Sequence, residues 1–423
     1  MLDKEIKHIF DEILREELIP AMGCTEPISL AYAAAVARKT LGVIPEKTEI
    51  IVSGNIIKNV KSVIVPHTGG LRGILAAVAA GIVAGKEDKI LEVLSEVTEE
   101  QIREIAEYLE TSDLSFRQSE SDRLFEITVR VEAGGSDALV MLADGHTNVI
   151  RIEKDGEVLF SADLPEMKEE KADRSVMTVE RIVQYAQETD LDSVKDLLDR
   201  QIEYNTAIAE EGLNGEYGAS IGKILLITNG NSVSNRAKAW AAAGSDARMN
   251  GCELPVVINS GSGNQGMTAS LPVIVYAKEL NVSQEQLYRA LLVSNLVTIH
   301  LKTGIGCLSA YCGAISAGCG AGAGITYLYG GRFKEIAHTI VNAVAINSGV
   351  VCDGAKASCA AKIASAVEAG LLGMQMYMHG REFVGGDGIV TKDIEKTIEN
   401  VSELARSGMR ETDKEILKIM MRS

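Results

Sequence analysis

Short runs of β-branched and apolar residues dominate the first part of this chain and give way to helical patterns after residue 176. Segments 48–52, 60–65, 124–132, 138–143, 148–154 and 157–160 are such runs with turn residues between them, which predicts strands. Helices are predicted over 3–18, stopping before Pro20, over 28–41, over 74–83, and in a charged stretch at 86–110. Ala21-Met22-Gly23-Cys24-Thr25-Glu26-Pro27 predicts a turn, with Thr25 or Glu26 capping the next helix and Pro27 in its first turn. The segment 163–175 is charged, contains Pro165 and suits a linker. From Thr178 onward strand signals nearly vanish, and helical patterns follow one another with short Gly or Asn breaks. The expected fold class is α+β: an N-terminal mixed α/β domain with a small sheet over 1–162, then a mostly helical domain over 176–423.

Composition narrows this picture. In 423 residues, 46% are hydrophobic but only 4% aromatic, so the core must be Ala, Val, Ile, Leu and Gly packed closely. A net charge of -17 argues against nucleic acid or an anionic membrane surface as partner. The N-terminus mixes charges and has no apolar core segment, so no signal peptide is expected there. Seven cysteines, an odd number in a long chain, read as free thiols in a cytoplasmic enzyme. The uncharged run 303–331 is long enough to span a membrane. It is rich in Gly, Ser and Thr rather than Leu, Ile and Phe, so buried helices of a soluble protein are expected instead.

Five of the cysteines, Cys307, Cys312, Cys319, Cys352 and Cys359, fall between 307 and 359 in Gly- and Ala-rich sequence, the first three of them inside that run. Cys352 and Cys359 stand just before an alanine-rich helix, whose N-terminus would stabilise anionic sulfur. A third thiolate from the 307–319 group would complete a set leaving one iron of a four-iron cluster without a cysteine, open to substrate. Taken alone the spacing matches no standard ferredoxin or zinc pattern, and buried structural cysteine or a nucleophilic thiol fits it too. Asn259-Ser260-Gly261-Ser262-Gly263-Asn264-Gln265-Gly266 offers amides and hydroxyls at a helix start, a nest for a carboxylate or phosphate, or else a flexible loop. It matches neither a P-loop nor a dinucleotide fingerprint. His67, His146 and, more weakly, His300 stand in or near turns, where they are proton-transfer candidates or merely solvated groups. Cys24, beside a helix start, is a reactive thiol or an inert one.

Together, Gly23-Cys24-Thr25-Glu26-Pro27, the Cys352-Asp353 pair with Cys359, and the Gly- and Cys-rich 303–331 run resemble the iron–sulfur L-serine dehydratase superfamily. The nearest branch is the L-cysteine desulfidase-like family. His146-Thr147-Asn148 resembles that superfamily's His-Pro-Asn segment, and 259–266 stands where its Pro-Thr-Asn-Gly loop lies. Ile346-Asn347-Ser348-Gly349-Val350-Val351-Cys352-Asp353 resembles its Asn-Leu-Gly-Leu-Thr-Cys-Asp, and Ser407-Gly408-Met409 its Thr-Gly-x-Asp-Met. The chain departs from it in carrying Cys24 where a histidine is usual, and in a closer spacing of Cys352 and Cys359.

The resemblance implies a 4Fe-4S cluster on Cys312, Cys352 and Cys359, with Cys319 or Cys307 as alternatives for the first. It implies β-elimination from a small L-amino acid, cysteine or serine, to give pyruvate. Cys24 or His67 would be the base, His146 a further catalytic residue, and Asn259, Ser260, Ser262 and Asn264 the substrate shell. Residues 1–162 would correspond to the dehydratase beta part and 176–423 to the catalytic alpha part, in a homodimer. Three other readings compete: a pyridoxal-phosphate lyase using Lys302 or Lys356, a non-catalytic amino-acid-binding protein, and a transporter.

Overall fold

The computed structural model describes residues 2–23, 25–121, 123–162, 171–306 and 309–422. Six strands form one mixed sheet in the order Asp113–Gln118, Lys47–Val52, Glu126–Ala133, Ser136–Ala143, Val149–Lys154 and Glu157–Ser161. The first two strands are parallel and every other neighbour is antiparallel. Burial alternates along Lys47–Val52, with Thr48, Ile50 and Val52 inward, and likewise along Ser136–Ala143. One face is therefore the core face. It is covered by the helix Thr25–Leu41, which in turn packs on Gly73–Ala84. A Cβ at Gly81 would lie 2.1 Å from the Ala31 carbonyl oxygen, so these two helices touch backbone to backbone. Their alanine and glycine content follows from that approach.

The remainder is helical. Gly313–Leu328 is its axis, packed against Gly263–Glu279, Gln284–Ile305, Phe333–Asn347 and Cys359–Met378. The α+β expectation holds, and among the described residues no helix is long and apolar enough to cross a membrane. Two local expectations fail. Residues 60–65 are not a strand: Gly54–Val60 is a helix, and Val63 and Val65 are buried in the irregular turn that follows. Their β-branched side chains serve packing, with no strand beside them beyond a single bridge from Ile64 to Arg72. The helical stretch at 86–110 is a short turn, Glu87–Glu92, followed by Glu99–Thr111, which opens on a Thr98–Gln101 capping box.

The two cores do not follow one cut in the chain. The first helix, Lys4–Glu17, belongs to the helical core, where Phe10 meets Tyr185 at 4.9 Å between ring centroids. Strand Pro20–Met22 pairs antiparallel with Pro255–Val257 in that same part. The last helix, Arg410–Arg422, lies instead on Gly54–Val60, with Leu417 against the sheet core. There Lys58 Nζ donates to Asp413 Oδ1 at 2.5 Å.

Asp246, fully buried on the helix Val233–Met249, accepts from Gly222 N at 3.0 Å and caps Ile221–Asn229. Among the described residues its Oδ1 has no partner, and burial pushes its carboxyl up to about 6 from 3.8. A raised acid favours the folded state below the unfolded value and loses that contribution as pH rises through the folded one. Asp246→Asn is therefore expected to stabilise the fold at pH 8 by up to about 3 kcal/mol. In denaturant titrations that gain over wild type should vanish near pH 4.

Candidate active site

One cavity lies where the helical part meets the sheet part. Two loops separated by a whole helical hairpin are stitched together at its wall. Tyr311 and Val351 form an isolated antiparallel bridge, Cys312 N donates to Val350 O at 3.1 Å, and Cys352 N to Ala310 O at 2.6 Å. This pairing sets Cys312 beside Cys352. Cys312 is the N-cap of Gly313–Leu328 and Cys359 opens Cys359–Met378, so two of the thiols sit at helix N-termini. Cys312, Cys352 and Cys359 all line the cavity. Cys319 is wholly buried farther along its helix and does not line it, and Cys307 lies outside the described residues.

Burial, reinforced by Cys352, pushes the Cys312 thiol up to about 11, and burial also raises Cys359. Protons must therefore leave when metal enters. Among the described residues no three His, Cys, Asp or Glu side chains converge tightly enough to hold a metal ion. A multi-iron cluster is larger than one ion, and its thiols stand correspondingly wider apart. The all-sulfur donor set suits iron–sulfur and not magnesium or calcium.

The charge of the lining opposes that of the molecule. Among the described residues Lys58, Arg248, Lys302 and Lys362 line the cavity with one carboxylate, Glu26, in a chain of net charge -17. Such a pocket concentrates anions. Burial works against the Lys362 ammonium, but Asp353 at 2.5 Å, and beyond it Cys312 and Cys352, keep its proton on.

The loop 259–266 contributes in two ways. Asn259 and Ser262 exchange both backbone hydrogen bonds at 3.1 Å, and Ser260 and Gly261 have φ of 50° and 76°. Positive φ at both central residues marks a type I′ turn. Ser260, Ser262 and Asn264 line the cavity. Asn259 does not: its amide is fully buried, donates to Asn295 Oδ1 at 3.0 Å and accepts from Ser260 Oγ at 2.9 Å. It braces the turn from behind, where sequence reasoning had it touching substrate.

The histidines also stand off. His67, at φ 57°, pairs through Nδ1 with Glu253 at 3.0 Å and is not part of the lining. His146 Nε2 lies 3.1 Å from Thr25 Oγ1, with its ring edge-on to Phe125, again outside the lining. Thr25 Oγ1 donates to Glu26 Oε2 at 3.3 Å, and Asn59 Nδ2 donates to Glu26 Oε1 at 3.1 Å. Among the described residues His146 thus reaches the cavity through Thr25 and Glu26. Cys24 lies outside the described residues. Lys356 pairs with Asp353 and does not line the cavity. Glu26, Lys58, Arg248 and Lys362 were missed from sequence, and Gln265 was named only as part of the 259–266 nest. Of the four, only Glu26 carried a signal, its place in the Gly-Cys-Thr-Glu-Pro turn, and that was read as a cap.

A family described as serine dehydratase alpha chain matches residues 88–418, reaching back into the sheet part well before residue 176. A UPF0597 protein of Desulfitobacterium hafniense is 59% identical over 97% of this chain and 95% of its own. Another, from Lachnoclostridium phytofermentans, is 52% identical over 97% of this chain and 98% of its own. A third, from Treponema denticola, is 46% identical over 100% of this chain and 99% of its own. With the match spanning both cores, the chain belongs to the serine dehydratase alpha-chain family.

Proposed function

We propose that this protein is an iron–sulfur lyase that eliminates the β substituent of a small L-amino acid, L-cysteine or L-serine. The observation that carries this is the convergence of Cys312, Cys352 and Cys359, from two stitched loops, on one cation-lined cavity in a chain of this family. These three residues would hold a 4Fe-4S cluster. When bound, the cluster supplies Lewis acidity toward the substrate's β substituent.

The chain's own residues do the rest. Ser260, Ser262 and Asn264 orient the amino acid against the thiol wall. Glu26 is the group placed to take the α proton, since it is the carboxylate of the lining and is steadied on both oxygens. The Cα–H and Cβ–S or Cβ–O bonds break, a Cα=Cβ bond forms, and sulfide or water leaves. The resulting enamine tautomerises to an imine, which water hydrolyses to pyruvate and ammonium. Lys362 and Lys58, each held in place by an aspartate, present ammonium groups to the charge that builds on the substrate's carboxylate side.

The test is anaerobic reconstitution with iron and sulfide, followed by assay of L-cysteine and L-serine side by side for pyruvate. Cys352→Ser is expected to cut bound iron at least ~10-fold and pyruvate formation with it. A formed cluster with no pyruvate from either amino acid sinks the proposal. Lys302 on the same lining gives the pyridoxal reading its one foothold. Activity that survives iron chelation but is lost on borohydride reduction would favour it.

A further inference from the structure

Two buried side chains of the cavity have hydrogen-bonding capacity that no group among the described residues uses. Arg248, at the end of Val233–Met249, is 7% exposed and lines the cavity. Among the described residues its guanidinium makes one long hydrogen bond, Nη1 to Asn264 Oδ1 at 3.4 Å, and its Nε has no acceptor. None of the ion pairs among the described residues involves it. Gln265, 5% exposed and on the same lining, has an Oε1 with no donor. Unpaired buried groups of this kind are costly, and the guanidinium most of all.

The fold also makes room for both. A Cβ on Gly263 would fall 2.4 Å from Arg248 Nε, and one on Gly313 would fall 2.7 Å from Gln265 Cδ. Both glycines open helices, so two helix starts are cut back around these two side chains. Gly313 follows Cys312, which puts the Gln265 amide next to the thiol wall.

A planar set of donors and a lone acceptor on one cavity complement a zwitterion. We propose that Arg248 receives the α-carboxylate of the substrate and that Gln265 Oε1 receives its α-ammonium, a pairing that rests on the elimination reading above. Together they select α-amino acids over 2-hydroxy acids, which lack the ammonium, and over amines, which lack the carboxylate. Asn264 is the positioning residue that aims the guanidinium.

The test uses reconstituted wild type, Arg248→Met, Arg248→Lys and Gln265→Met, with L-alanine, L-lactate and ethylamine as unreactive probes. Arg248→Met is expected to raise KM and the L-alanine inhibition constant about 100-fold, with a much smaller change in kcat. It should melt no lower than wild type without ligand, because it removes a buried unpaired charge. Arg248→Lys should fall between the two. Gln265→Met should erase the preference for L-alanine over L-lactate. An unchanged KM in Arg248→Met, or a fall in melting temperature with kcat and KM damaged together, overturns the assignment. So does a wild-type melting temperature that L-alanine does not raise. If wild type makes no pyruvate but L-alanine raises its melting temperature and Arg248→Met abolishes the shift, elimination fails and the clamp stands.

Discussion

Glu26→Gln is expected to lower kcat for pyruvate release about 10²–10⁴-fold while leaving bound iron at the wild-type level. The substitution keeps shape and removes basicity. Gln Oε1 can still accept from Asn59 Nδ2, and the new amide can donate to Thr25 Oγ1, so both anchors of the side chain survive. None of the three proposed cluster thiols touches Glu26 through a hydrogen bond, so metal loading has no reason to change. His146→Ala should cost far less, because among the described residues that ring meets the cavity at second hand, through Thr25 and then Glu26. Wild-type kcat in Glu26→Gln, or loss of iron from it, would move the base elsewhere.

Gly354→Ala is expected to reduce bound iron at least ~10-fold and to destabilise the fold by about 3 kcal/mol. Gly354 sits between Cys352 and Cys359 at φ 95°, where an L side chain is strained. A Cβ there would lie 1.9 Å from the Lys58 carbonyl oxygen, which is backbone and cannot turn aside. Either the thiol loop or the helix Gly54–Val60 must move. The Gly354 carbonyl also accepts from Cys359 Sγ at 3.7 Å, so the displacement passes directly to a proposed ligand. Gly349 in the same loop has open space where its Cβ would be, and Gly349→Ala should load iron normally. Iron content and chemical denaturation of the two variants decide the matter; equal iron in both would remove the loop from cluster assembly.

Much of this molecule was legible in the sequence, for physical reasons that also mark where reading stopped. Strands such as 48–52 and 138–143 showed because one face of each is buried, which forces a visible period of two. Strand Asp113–Gln118 did not show, since it lies at the sheet edge with little burial and carries Asp113, Ser115 and Arg117. The cysteines offered a soft-metal chemistry beside inert packing, but not that Cys312 and Cys352 are neighbours. That adjacency is made by the Tyr311–Val351 bridge, a contact between segments with no shared local pattern. Arg248 looks in sequence like any basic residue in the last turn of a helix, where the dipole favours one. Its isolation among buried side chains is a property of three dimensions alone. His67 and His146 drew attention because histidine beside glycine reads as chemistry, yet their rings are spent on Glu253 and Thr25.

The sharing of segments between the two cores has a consequence for how the protein comes apart. Lys58 is almost fully buried and lines the cavity, and the carboxylate that balances it, Asp413, sits on the helix Arg410–Arg422. Loosening that helix would strip a buried ammonium at the cavity wall of its counter-charge. The helix follows the helical core in the chain yet lies on the sheet core, so its detachment ties the unfolding of one core to the other.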